Sequence, residues 1–391
     1  MIVFVRKWIL KLAYALCAPL PLRERIVLVS SHGSGLTGNL AAIRGELMRR
    51  GRGVAVVVLA ASHRGGALGK AGSMVDAIRA EYYLATSTVF IVEDYFFPLF
   101  VAKPKTGTTV IQTWHASGAF KKIGYSVLGK SFGASESLVR QVRIHSNYDY
   151  ILMGSKTAVP AYSEGFGQPE DRFVTELGIP RTDVFFDPEK VRTARAAVQE
   201  RFGLPAGKRI ILYAPTFRGT SRERASYHDE LDLETMQTLC GGDWVLLLRL
   251  HPWVAREAAV SPGLAGFVFD ASDHADINDL MMASDLLVTD YSSLIFEYSL
   301  LERPMVFFAP DHEAYEAERG FYFPYSDGVP GPVFTTSEQV ANYIAAAEFD
   351  LATVEAFRTT SFEVADGHAS ERVVDRLVLP ALRGMKPRLS R

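Results

Sequence analysis

The feature that most limits what this chain can fold into is a strand–helix–strand period that runs through it twice. Residues 25–30 (RIVLVS) and 53–59 (GVAVVVL) are apolar, β-branched runs of strand length, and between them Leu40, Ile43 and Leu47 recur at helical spacing before Gly51. Two strands joined by a helix pair in parallel, because only a crossover connection returns the second strand in the direction of the first. Runs of the same kind lie at 89–93, 109–114 and 150–154, and the pattern restarts with 209–213 (RIILY), 244–250 (WVLLLRL), 266–269, 285–289 (DLLVT) and 304–308 (PMVFF). Helical spacing fits 231–240, 276–284, 293–302, 336–348 and 368–384. A charged, proline-bearing stretch between the halves sets a boundary near 190–205. A length of 391 residues suits two domains of ordinary size. The expected fold class is therefore α/β, two doubly wound, Rossmann-like domains (23–195 and 196–391) facing across a cleft, with ligands at the C-terminal strand ends.

The first 22 residues are a separate matter. They are apolar but interrupted by Arg6, Lys7 and Lys11 and closed by Pro19 and Pro21, so no run of the roughly 20 apolar residues a spanning helix needs is present. At 100° per residue the three cations fall within an arc of about 140°, with Phe4, Trp8, Ile9 and Leu12 on other faces. Residues 1–22 are expected to form an amphipathic helix lying in a membrane interface; the alternative is a helix packed on its own domain.

Four strand ends carry polar groups. Residues 109–114 end in Trp114-His115, 209–213 in "APTFRG", 244–250 in His251-Pro252, and 285–289 in "DYSS", which opens a helix. Each alone has a structural reading: a satisfied histidine, a turn, an N-cap in which Asp290 and Ser292 serve free amides. Parallel α/β sheets put such ends on one side, and there the chemistry converges. Arg218 offers a planar fork for phosphate, the helix starting near Ser292 offers free N–H groups, and "DGHAS" at 366–370 offers a second start beside Ser370 and Arg372. Two histidines, one from each half, supply groups that exchange a proton near neutral pH. A base on one domain and an anion cradle on the other suit transfer from a nucleoside-diphosphate donor.

Other classes lack their signatures. There is no GxxxxGK[ST], no GxSxG and no DxD, and the glycine-rich stretch 30–39 is not followed, some 20 positions on, by the acidic residue of an NAD site. A net charge of −2 gives no basic excess for a nucleic acid. The two cysteines, Cys17 and Cys240, show no metal or CxxC spacing, which places the chain in a reducing compartment.

"QTWHASGAFKKIG", "YAPTFRG", "LRLHP", "DINDLMMASDLLVTDYSSLIFEYSLLERPMVFFAPD", "RGFYFPY" and "DGHASERV" occur in this order over roughly residues 85–375. Together they resemble the CDP-glycerol glycerophosphotransferase family, the teichoic-acid primases and polymerases. The resemblance implies a GT-B architecture and a peripheral protein on the cytoplasmic face of the cell membrane. It also implies transfer of glycerol phosphate from CDP-glycerol to an undecaprenyl-pyrophosphate-linked disaccharide, with CDP-ribitol or a sugar nucleotide as alternative donors. By motif it makes His115 the base for the acceptor hydroxyl and sets His251 against the donor pyrophosphate. Thr216, Arg218, Ser292, Ser293, Ser370 and Arg372 would line the phosphate site, with Asp290 in the same motif, and Glu297 would hold the ribose. Trp114 and the 116–120 turn would shape the acceptor side, where Lys121 and Lys122 meet acceptor phosphate or are simply solvated. Many members read WHG and then TPLKKIG; here the glycine is displaced to Gly118, which leaves acceptor fit open. No cofactor is obligatory in this reading, and a Mg²⁺ ion carried with the donor is left open. A chain of this length leaves no room for a large appendage, so a primase is expected ahead of a polymerase.

Overall fold

The structure, a computed structural model, describes residues 2–30, 35–51, 53–60, 66–130, 133–218, 231–251, 254, 261–385, 387 and 389. Its contacts divide the chain into two compact units. One is Met1–Asp183 together with Ser361–Arg391; the other is Val184–Thr360. The boundary expected at 195/196 thus falls at 183/184, and the C-terminal segment, expected with the second domain, belongs to the first.

The first unit holds a parallel six-stranded sheet. Its strands are β1 (Arg23–Ser30), β2 (Ala55–Ala60), β3 (Ser87–Val92), β4 (Thr109–Gln112), β5 (Tyr150–Leu152) and β6 (Phe173–Val174), in the order β2-β1-β3-β4-β5-β6. Every residue of β3 is buried, as are the last six of β1, which is why these strands read as unbroken apolar runs rather than alternating ones. The helices α1 (Ile2–Cys17), α2 (Gly38–Arg49), α3 (Gly66–Thr86) and α4 (Phe97–Val101) accompany this sheet, and α1 packs along α3.

The second unit repeats the plan with β7 (Arg209–Ala214), β8 (Trp244–Leu248), β9 (Val268–Asp270), β10 (Leu286–Thr289), β11 (Met305–Phe308) and β12 (Val333–Phe334), all parallel, in the order β12-β11-β10-β7-β8-β9. Strand order reverses between β1 and β3 in one sheet and between β7 and β10 in the other. At such a reversal the flanking loops diverge and leave a crevice at the carboxyl ends.

Several details depart from expectation. β6 and β12 are two residues long, too short to show a period. The charged stretch taken as a linker contains the helix Pro188–Phe202, started by the Asp187 carboxylate on two backbone amides and stopped by Gly203 at φ 60°. The helical run near 368–384 is broken into Ala369–Val373, a π-helical Val374–Val378 and Leu379–Leu382, the last packing on β1 and β3. Glycines 33, 35 and 38 stand at the G-x-G-x-x-G spacing after β1, although residues 31–34 lie outside the described residues. Among the described residues no helix is long and apolar enough to cross a membrane.

The helix α1 forms, but its faces are not those expected. Phe4 and Trp8 are more than half exposed, and so are Leu12 and Leu16 at 62% and 72%, while Leu10 is fully buried. Two of the three cations turn away from that outer face. Arg6 is half-buried with its guanidinium 4.9 Å over the Phe97 ring, and the Lys7 ammonium donates to the Gln141 carbonyl. Lys11 alone stays exposed, 5.1 Å from the Trp8 ring. The exposed side is an apolar stripe with one cation rather than a basic arc.

Candidate functional site

In the first unit the end of β4 is clamped by side chains. The Gln112 amide oxygen accepts the Trp114 N–H at 2.8 Å, and the Asn39 amide nitrogen donates to the Thr113 and Trp114 carbonyls at 3.1 and 3.0 Å. Arg181 donates to the His115 carbonyl at 2.6 Å. Trp114 sits at φ 52°, a left-handed conformation rare for so bulky a residue, which ends the strand two residues before the expected limit. The turn drives the indole inward, 6% exposed, against Phe166 at 4.9 Å, and leaves the His115 side chain 42% exposed. The imidazole lies beside the indole, ring centroids 4.2 Å apart, with Nδ1 3.8 Å from a carboxylate oxygen of Asp94. Asp94 follows β3 and was not singled out from the sequence; its signal was the same strand-end position one strand over.

Behind this surface lies a second histidine that sequence reasoning also passed over. His145 is fully buried and stacked on Phe166 at 4.0 Å, its Nδ1 is 3.3 Å from the Tyr148 hydroxyl, and its Nε2 has no hydrogen-bond partner. Burial pulls its pKa down to about 3, so it stays neutral, and with no exposed surface it forms part of the wall behind Trp114. The 116–120 turn is fixed as well. The Ser117 carbonyl accepts the Gly154 N–H at 3.2 Å, and the Tyr162 hydroxyl donates to the Gly118 carbonyl at 3.1 Å. A Cβ on Gly154 would stand 2.4 Å from the Ser117 carbonyl oxygen, so only glycine fits. Lys121 and Lys122 are both half-buried, not splayed into solvent.

In the second unit the β7/β10 reversal brings Thr216, Arg218 and Asp290 together. One Asp290 oxygen accepts the Thr216 N–H and hydroxyl at 2.8 and 2.7 Å and the Tyr291 N–H at 2.6 Å. The other takes Arg218 Nη1 at 2.9 Å. Arg218 also grips Asp311 with two parallel bonds, Nε and Nη2 at 2.7 and 3.0 Å, and lies about 5 Å over the Tyr291 and Tyr315 rings. The fork expected to hold phosphate is filled by carboxylates. Burial alone would lower the Arg218 pKa, but the Asp311 hydrogen bonds and the two carboxylate charges outweigh it and raise it. Burial likewise works against the Asp311 carboxylate, and Arg218 and Tyr291 overcome that and hold its pKa below the usual range. The Tyr325 hydroxyl of "RGFYFPY" closes the cluster on the Asp290 carbonyl at 2.9 Å.

The remaining residues of this unit sit nearby in sequence order but play quieter parts. Ser292 accepts the Leu294 N–H at 3.3 Å, and Ser293 occupies the N-cap position without a side-chain cap. The helix they open, Leu294–Ser299, has six residues, and Glu297 is buried on it. Asp290 does not cap that helix, contrary to the simple sequence reading. His251 follows β8, half-buried, its ring 4.5 Å from that of Phe217, and Pro252 lies outside the described residues.

Ser370 and Arg372 belong to the first unit. The Ala369 and Ser370 amides, expected as an anion seat, donate to the two oxygens of Asp183 at 2.9 and 2.8 Å. Arg372 places its fork on Asp366, two bonds of 2.8 Å, and donates through Nε to the Leu177 carbonyl at 2.9 Å. The second cradle read from the sequence is thus filled from within, by Asp183 from far along the chain and by Asp366 of the same motif.

Three comparisons bear on these arrangements. The family model described as CDP-Glycerol:Poly(glycerophosphate) glycerophosphotransferase matches residues 12–379. A teichoic acid ribitol-phosphate primase of Bacillus spizizenii is 39% identical over 363 residues, 92% of this chain and 92% of that protein. A teichoic acid poly(ribitol-phosphate) polymerase of the same organism is 32% identical over 382 residues, 96% of this chain but 60% of its own length. Among solved structures the wall teichoic acid polymerase TagF superimposes with a TM-score of 0.75 at 24% identity, over 93% of this chain and 90% of that one. That likeness shows the fold, and the two parallel six-stranded sheets with flanking helices are of the GT-B type.

Proposed function

This chain belongs to the CDP-glycerol:poly(glycerophosphate) glycerophosphotransferase family, enzymes of teichoic acid synthesis that transfer phosphoalditols, and from that premise we propose a ribitol-phosphate primase using CDP-ribitol. Glycerol, the donor implied by the motifs, gives way to ribitol because both relatives above carry ribitol phosphate in their names, one at 39% identity over nearly the whole of both chains. In this reading His115 takes the proton of an acceptor hydroxyl on a lipid-linked saccharide, and that oxygen attacks the phosphorus distal to cytidine. A new P–O bond forms, the bond to the CMP oxygen breaks, and CMP leaves with the electron pair. His251 stabilises charge on the donor phosphates. Arg218 acts as a positioning residue that fixes Thr216 and Asp290. Such transfer depends on placement and charge stabilisation, not on a covalent nucleophile. The reading assigns no resident metal; a chelator titration tests whether Mg²⁺ travels with the donor.

The observation that carries the catalytic part is His115, an exposed imidazole on a rigid turn with a carboxylate at its Nδ1 side. The test is mass spectrometry of products from a lipid-linked disaccharide analogue with each CDP-alditol. One added ribitol phosphate with release of CMP is expected. Equal or better yield from CDP-glycerol would sink the donor assignment, and long products would sink the primase. The apolar face of α1 is assigned to the cytoplasmic surface of the membrane, where buried area, not basic charge, supplies the binding. Flotation with vesicles at two salt concentrations should therefore differ little. Loss of binding at high salt would return the weight to the cations.

A further inference from the structure

A polar side chain lies on the inward, otherwise apolar stripe of α2. Asn39 shares a face with Ile43 and Leu47 and is 3% exposed. The glycine-rich stretch 30–39 leads into it, and Gly38, at φ 53°, makes the turn from which the helix starts. A buried amide must find partners, and Asn39 finds them around the end of β4. Its Nδ2 donates to the Thr113 and Trp114 carbonyls, and its Oδ1 accepts the Arg181 N–H at 2.9 Å. These partners fix which way the amide points, because carbonyls only accept and a peptide N–H only donates.

The two carbonyls belong to the peptide groups on either side of the Trp114 Cα. Their relative direction is set by φ and ψ of that residue. In an extended residue they point to opposite sides, and in a helical one, of either hand, they point the same way. A single NH₂ group can hold both only in the second case. Asn39 thereby fixes the turn at φ 52°, a conformation that persists in a bulky residue only where its surroundings over-determine it. The other backbone groups of the turn are held as well. The Thr113 N–H is on the Val92 carbonyl at 2.8 Å, the Trp114 N–H on Gln112, and the His115 carbonyl takes the side chain of Arg181, whose own N–H is on Asn39. The result of the turn is the placing of the imidazole over the indole, ring centroids 4.2 Å and planes 31° apart.

We propose that Asn39 is a positioning residue for His115: by holding the carbonyls on both sides of Trp114 it fixes the turn that aims the imidazole. Asn39 is too deeply buried to touch a substrate, so it acts through the turn alone. The proposal rests on the reading of His115 as the base, and it gives the glycine-rich stretch before α2 a part in the site.

The test includes a readout that does not depend on activity. An indole shifts a proton over its face upfield. In the full chain carrying isotope-labelled histidine, the His115 Cε1–H resonance, identified by its absence in His115→Ala, should therefore lie upfield of that of a solvent-exposed histidine. Asn39→Ala should move it back toward the exposed position. Asn39→Asp, which keeps the shape and the bond to Arg181 but offers at most one donor to two carbonyls, should move it the same way and serves if the alanine variant does not fold. The kcat should fall about 10²-fold in Asn39→Ala and at least about tenfold in Asn39→Asp, with CDP-ribitol binding unchanged by calorimetry. In a His115→Ala background the same changes should lower the residual rate by no more than about twofold, because residues acting through one group are not additive. A resonance that stays in place in both variants overturns the proposal. So does an equal fold-loss in both backgrounds, which would make Asn39 a structural residue only, and so does a raised KM with kcat unchanged. Native-like turnover in His115→Ala would sink the base instead, and the resonance then decides the positioning by itself.

Discussion

Both sheets reverse their strand order once, and the two reversals are filled in opposite ways. At β7/β10 the charges close on one another, with Arg218 held between Asp290 and Asp311 under a lid of Tyr291, Tyr315 and Tyr325. At β1/β3 they are left open. Ser30 bonds Glu93 at 2.7 Å, but Arg6 faces a cavity, and one strand over the His115 ring is nearly half exposed. A guanidinium is therefore open to a ligand only where no carboxylate from another part of the chain has already reached it. By that criterion the second unit is built for rigidity at its reversal and the first for access.

The sharpest way to break this contrast is at the accessible end. His115→Ala should lower turnover by about 10²- to 10⁴-fold while binding of the CDP-alditol survives. Single-turnover rates beside calorimetry decide it, and native-like turnover removes the base from this turn. At the closed end the effect should fall on stability. Arg218→Met leaves two carboxylates without their cation and should cost about 3 kcal/mol. Hydrogen exchange of the β7 and β10 amides reads this, and unchanged protection there means the cluster does not hold the reversal. The Asp311 carboxyl is held below its unfolded pKa, so its contribution is present above the unfolded value and is lost as pH falls through the folded one. Asp311→Asn should flatten that acid loss.

Glu81 of α3 sharpens the contrast from the other side. It is fully buried beneath α1, neither carboxylate oxygen has a hydrogen-bond partner, and burial pushes its pKa up to about 9. Its folded pKa lies above the unfolded one, so the stability it allows is complete below the ordinary carboxylate value of 4.5 and is lost as pH rises toward 9. Glu81→Gln should remove that loss and raise stability at pH 7 by about 2 kcal/mol, with no change near pH 4. An equal stability difference at both pH values would show that the carboxyl does not titrate across this range. The smallest expected effect is at Asp94. Asp94→Asn should shift the acid limb of the rate profile downward, because the imidazole loses a neighbouring negative charge, and Asp94→Glu should restore part of the shift. An unmoved limb would mean the 3.8 Å approach has no influence on the base.

The sheets were readable because parallel strands covered on both faces, such as β3 and β8, have no polar alternation to obscure them. The helix Pro188–Phe202 was not, since only Ala194 and Val198 are buried along its 15 residues and the rest reads as charged linker; Asp187 before and Gly203 after were the signals available. Of the site, the strand-end positions of His115, Thr216 and Asp290 could be seen in the sequence. The partners could not. Arg218 and Asp311 are 93 residues apart, and whether a fork meets a carboxylate or a ligand is decided by packing that no local pattern encodes. The arc of cations on α1 failed for the same reason: helical geometry fixes which residues share a face, but not which face meets the body.

The route of the chain also has a consequence for how it is made. The second unit is one continuous stretch, Val184–Thr360, inserted into a first unit that is completed only by Ser361–Arg391, where Val373, Val374, Leu377 and Val378 are fully buried. During synthesis the inserted unit has all of its sequence before its host does, and domains generally fold as their sequence becomes complete. The molecule is thus expected to mature from the middle outward. The His115 unit waits, with its apolar sheet face uncovered, until residues 361–391 have been made.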